Sequence, residues 1–171
     1  MKTLLLSTAA AVLAAAGAHA QDAGQFHVGG GYTWLDADEV ELDTLNLRGG
    51  YDFTPYLGVE GEVLVGLGDE SVTVGSVTGD VSLDYGLGAF AKAQFPVNEQ
   101  FSVFGRLGYA YWEAEASVGG VTLSEEEDGV AYGVGGEWAF AGPNAVRVDY
   151  TRYDFDNAET DAFGVSYVRR F

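Results

Sequence analysis

Eight charged residues recur at alternate positions in runs that are otherwise apolar or rich in glycine: Arg48, Glu60, Glu62, Lys92, Arg106, Glu137, Arg147 and Asp149. Each lies about four to eight residues from the middle of one of the three proline-containing stretches "DFTPYL", "FPVNEQF" and "FAGPNAV". If those stretches are tight turns, all eight residues fall at one height. Four are basic and four acidic. Opposite charges gathered at one level suit mutual neutralisation where water is scarce, because a buried charge without a partner costs several kcal/mol, on the order of 3–5.

Catalytic chemistry is not expected, and no cofactor is implied. Nucleophilic catalysis needs a serine, a base and an orienting group within reach of one another. The serines have no partner base in the pattern, and the only histidine besides His19 is His27, which falls near the turn end. There is no cysteine, so neither a disulfide nor a thiolate metal site is available. Two acidic runs remain as candidates for Ca2+ or Mg2+, Asp36, Asp38 and Glu39 in "DADE" and Glu125, Glu126, Glu127 and Asp128 in "SEEED". Neither has the alternating aspartates of a defined calcium loop. A solvated acidic rim explains them slightly better.

The elements that would position these residues are strands. After Gln21 no stretch repeats apolar residues at helical spacing, whereas alternation with period two recurs almost throughout. One parity holds Phe26 to Trp34, Leu45 to Phe53, Leu57 to Val65, Val81 to Phe95, Phe101 to Tyr111, Val130 to Phe140, Val146 to Tyr150 and Phe163 to Phe171, which makes eight strands. The other parity holds the eight charged residues, together with His27, Asn46, Asp52 and Asp84 and many glycines.

The connections alternate in kind. All three prolines fall in every second one, and the others, roughly 36–43, 68–80, 115–128 and 154–161, are mostly longer and acidic. With the strand ends that flank them they carry 18 of the 26 acidic residues, against 8 basic residues in the whole chain. That balance argues against a nucleic-acid partner.

Alternation alone fits a soluble sandwich or a membrane barrel. Three features select the barrel: aromatics gather near strand ends, short and long connections alternate strictly, and the inward charges balance at one level. The first twenty residues, "MKTLLLSTAAAVLAAAGAHA", read as a signal peptide cleaved before Gln21. The expected organisation is residues 1–20 as that peptide and 21–171 as one all-β domain, an eight-stranded antiparallel up-and-down transmembrane barrel. Its interior would be only wide enough for its own side chains, so the charge belt reads as a plug. The alternative is a small cation-selective pore.

With its alternating strands and the ending "FGVSYVRRF", the chain resembles the small outer-membrane β-barrels of Gram-negative bacteria, the OmpA-type and OmpX-type barrels. The resemblance implies residence in the outer membrane, contact with its lipid and lipopolysaccharide, and recognition of the last strand by the barrel-assembly machinery. Phe163, Val165, Tyr167 and Phe171 match that assembly signal. Arg169 departs from it, standing where the family usually has an apolar or aromatic residue. A structural and surface-interaction role is the expectation, without the peptidoglycan-binding domain of longer OmpA proteins.

Overall fold

A computed structural model describes residues 24–37, 40–74, 77–118, 121–156 and 158–171. The expected signal peptide, residues 1–20, lies outside them. Nine strands follow one another: β1 Gln25–Ala37, β2 Val40–Asp52, β3 Leu57–Gly66, β4 Asp69–Val74, β5 Val77–Pro96, β6 Phe101–Val118, β7 Val121–Ala141, β8 Asn144–Phe155 and β9 Glu159–Arg170. All neighbours are antiparallel, β9 pairs back onto β1, and β5 pairs with β3 below and β4 above. Thus β3 and β4 are one stave interrupted at Leu67 and Gly68, and the sheet closes as an eight-stranded barrel.

The three proline stretches are tight turns, each closed by its own residues. Thr54 Oγ1 accepts from the backbone N–H groups of Tyr56 at 3.1 Å and Leu57 at 3.0 Å. Asn98 Oδ1 does the same for Gln100 at 2.9 Å and Phe101 at 2.8 Å. The third turn places Gly142 at φ 54°, a left-handed conformation that glycine adopts without a Cβ clash.

At the other rim the strands run further than the alternation suggests. Most of the expected connections 36–43, 68–80, 115–128 and 154–161 are β-ladder: β6 and β7 stay paired from Tyr111↔Asp128 up to Val118↔Val121, and β4 pairs with β5 from Asp69↔Ser82 to Val74↔Val77. Serine, threonine and valine between the acids favour strand, and the hairpins hide this because their tips are short. Glu125, Glu126, Glu127 and Asp128 are therefore strand residues on β7 rather than loop residues. Because β8 joins β7 only from Gly129↔Phe155, the upper ends of β4 to β7 form a sheet that stands clear of the barrel wall.

Period-two alternation sorts the barrel wall into two faces. Outward residues such as Leu47 at 58 %, Leu107 at 60 % and Val134 at 62 % exposure form an apolar belt around the outside. One strand breaks parity. A bulge between Leu83 and Tyr85 turns Leu83 inward, where it is buried, and Asp84 outward, where it is exposed. Simple alternation assigns each of these two residues to the opposite face, because an extra residue in one strand reverses every side chain beyond it.

Candidate functional site: the charge network in the barrel interior

All eight belt residues are buried inside the barrel. They enter from six staves, and the closure of the barrel brings together residues as far apart in sequence as Arg48 and Asp149. Glu62 is the hub. It accepts from Arg48 Nε, from Arg106 Nη1 at 2.8 Å and from the Tyr153 hydroxyl at 2.5 Å. Asp149 takes the other side of Arg48 in two bonds of 2.6 and 3.1 Å. Such fork-to-carboxylate pairing holds both partners in one orientation. Arg106 completes its donations on Thr151 Oγ1 at 3.0 and 2.6 Å.

A lower tier lies toward the tight turns. Arg147 Nη1 donates to Glu60 at 2.7 Å, and Lys92 Nζ stands 2.9 Å from Asp52 and 3.6 Å from Glu60. His27 has its two ring nitrogens 3.4 Å from Asp52 and 3.5 Å from Glu60. The guanidinium groups also stack on rings, Arg106 at 4.3 Å from the Phe90 centroid and Arg147 at 3.9 Å from that of Phe104. These cation–π contacts fill the remaining space with aromatic carbon.

The membership differs from the pattern in sequence at two places. Glu137 is buried, but its partner is Arg170, at the tight-turn mouth, and it takes no part in the central network. Asp52 stands in its place, so four cations still face four anions, Asp52, Glu60, Glu62 and Asp149. The height of a residue along its strand does not report which neighbour it reaches across a tilted barrel.

Above the network the interior changes character. Leu35, Leu64, Leu83, Phe90, Ala110, Trp112, Ala131, Tyr153, Phe155 and Ala162 form one buried apolar cluster, with Trp112 packed 4.5 Å from Tyr153 and 4.9 Å from Phe155 between ring centroids. Gly86 makes room for it: a Cβ there would stand 2.7 Å from the Trp112 ring. The rings of Phe90 and Phe104 occupy the hollows beside Gly88 and Gly135 in the same way. A separate polar group seals the wall between β1, β2 and β9, where Asn46 donates to Thr33 Oγ1 at 2.8 Å and accepts from Ser166 at 3.0 Å. The apolar cluster continues the inward parity of the charged residues, Leu64 after Glu60 and Glu62, and Trp112 after Arg106. Its signal is in the sequence, but charge draws attention away from it.

Two ends complete the site. The tight-turn mouth is an open vestibule of about 900 Å³, lined in part by Asp52, Gln94, Gln100, Glu137, Arg170 and Phe171. At the opposite rim, outward tyrosines donate to acids on the neighbouring strand: Tyr85 to Glu113 at 2.7 Å, Tyr109 to Asp128 at 2.5 Å and Tyr150 to Asp161 at 2.7 Å. The hydrogen bond to Glu113 pushes the Tyr85 hydroxyl pKa up to about 12. Arg152 is held by Glu159 and Asp161. Of the acids suggested for divalent cations, Asp36 is exposed, Asp38 and Glu39 lie outside the described residues, and Glu125, Glu126 and Asp128 are exposed on β7. Among the described residues no three histidines or acids are grouped as a metal would need.

Phe163, Val165, Tyr167 and Phe171 all face outward on or just beyond β9, and the Phe171 N–H donates to the Phe26 carbonyl at 2.8 Å, closing the seam with β1.

Comparison with known proteins adds the following. The family model described as outer membrane protein beta-barrel domain matches residues 4–171. Outer membrane protein A of Klebsiella pneumoniae is 32 % identical over 109 residues, which are 60 % of this chain and 31 % of that protein, so the chain spans about a third of that relative's length. Among solved structures, OprG of Pseudomonas aeruginosa superposes with a TM-score of 0.65 at 14 % identity, covering 87 % of this chain and 96 % of that one. Ail of Yersinia pestis, crystallised with the heparin analogue sucrose octasulfate, superposes with a TM-score of 0.61 at 20 % identity, covering 86 % and 97 %.

Proposed function

Because the chain belongs to the outer membrane β-barrel domain family, we propose that this outer-membrane protein has a structural and surface-interaction role, with its lumen closed by the charge network and the apolar cluster above it. The observation that carries the reading is the continuous filling of the interior, from His27 and Asp52 through Glu62 to Trp112 and Leu35. A balanced ionic layer offers no free charge to a passing ion, and an apolar layer above it excludes water.

What remains for the outside is the protruding sheet and its acids. Their partners carry positive charge, such as Ca2+ or Mg2+ shared with lipopolysaccharide phosphates, or a basic protein surface. The polysulfated ligand named with Ail is not carried over, since this rim repels it. The barrel-assembly machinery reads the last strand, through Phe163, Val165, Tyr167 and Phe171. No catalytic role is assigned.

The alternative, a small cation-selective pore, draws on the open vestibule and requires the ionic layer to part. Conductance of the refolded barrel in a planar lipid bilayer separates the two. Silence from a barrel with the heat-modifiable gel mobility of the folded state is the expected result. Steady cation-selective steps would replace the plug with a pore.

A further inference from the structure

Leaving aside Lys2, which lies outside the described residues, the chain has seven basic side chains. Six have carboxylate partners: Arg48 with Glu62 and Asp149, Lys92 with Asp52, Arg106 with Glu62, Arg147 with Glu60, Arg152 with Glu159, and Arg170 with Glu137. Arg169 has none among the described residues. Its guanidinium lies 5.5 Å from the centre of the Phe171 ring, and the residues beside it in the ladder, Val28 on β1 and Asn144 on β8, carry no charge. Asn144 is already engaged, accepting from the Tyr167 hydroxyl and donating to the Ala141 carbonyl at 2.7 Å.

Arg169 shares the outward, exposed parity of Phe163, Val165 and Tyr167. That face meets lipid, and the tight-turn rim beside it belongs to the periplasmic leaflet. Phe26, Trp138, Phe140 and Phe171 are all exposed near this rim, which marks the depth of the headgroups. A guanidinium at that depth is partly dehydrated and needs an anion, and the anion present there is the phosphate of a phospholipid. We propose that Arg169 binds the phosphate of one periplasmic-leaflet phospholipid, with the Phe171 and Tyr167 rings against the lipid's glycerol and upper acyl chain. The planar guanidinium fork matches a phosphate in two bonds. Arg170, one residue further and on the inward face, already has Glu137 and serves as the internal comparison. The assignment is independent of whether the lumen conducts.

The test is native mass spectrometry of the full refolded barrel, released from detergent after titration with phosphatidylglycerol or with a diacylglycerol of the same acyl chains. One phosphatidylglycerol should be retained at least fivefold more than the diacylglycerol. Arg169→Gln should abolish that preference, Arg169→Lys should keep part of it, and Glu137→Gln should leave it unchanged. Equal retention of the two lipids by the unmodified protein would overturn the assignment even if Arg169→Gln failed to refold, as would an undiminished preference in folded Arg169→Gln. Displacement of the lipid by millimolar inorganic phosphate would reassign the site to free phosphate and overturn the lipid.

Discussion

The two halves of the barrel interior solve the same problem with opposite chemistry. Toward the tight turns the space is filled by paired charges, and toward the acidic rim it is filled by Trp112, Tyr153, Phe155 and leucines. Both halves are buried, yet they should fail differently. An ionic layer depends on each partner, because a remaining charge has nowhere to go, whereas an apolar layer loses contacts in proportion to the carbon removed. Tyr153 joins them: its ring packs on Trp112 at 4.5 Å while its hydroxyl donates to Glu62 at 2.5 Å.

The sharpest way to break this contrast is Glu62→Ala, which leaves Arg48, Arg106 and the Tyr153 hydroxyl without their shared acceptor. A loss of about 4 kcal/mol in urea unfolding of the folded barrel is expected. Trp112→Ala removes a ring from the apolar half and should cost about 3 kcal/mol by the same measurement. Should the two costs be reversed by a wide margin, the ionic layer is a filler and the aromatic layer holds the barrel. Glu137→Gln should cost much less, about 1 kcal/mol, because the Arg170 side chain is 19 % exposed at the vestibule and water can replace the partner. Added salt should diminish that cost and leave the cost of Glu62→Ala nearly unchanged.

The smallest effect belongs to the outer rim. The Tyr85 pKa of about 12 lies above the unfolded value of about 10. Its hydrogen bond to Glu113 therefore contributes fully below pH about 10 and is lost as pH rises through about 12. Ultraviolet titration of tyrosinate should show one late-titrating tyrosine fewer in Glu113→Gln, with only a small fall in the unfolding midpoint at neutral pH because the pair is at most partly buried.

Much of this architecture is legible in the residues themselves. Parity separates Glu60, Glu62 and Leu64 from Val59, Val63 and Val65, and the prolines mark three turns. The upper hairpins are harder to read, because strands without a lipid-facing side lose the clean apolar alternation that identifies the wall. Asp84 and Leu83 are assigned to the wrong faces for another reason: nothing in the local sequence marks a bulge that the neighbouring strand requires.

By itself, then, the order of residues determined an all-β chain with one apolar and one charged face, tight turns at one end and acids at the other, since those follow from a period of two and from the backbone limits of proline and glycine. Tertiary structure decided who meets whom. Whether Arg170 or the central network receives Glu137, and whether Arg48 finds Asp149 a hundred residues away, depends on the stagger and tilt with which the sheet closes. Those are properties of all eight staves together and of no single strand.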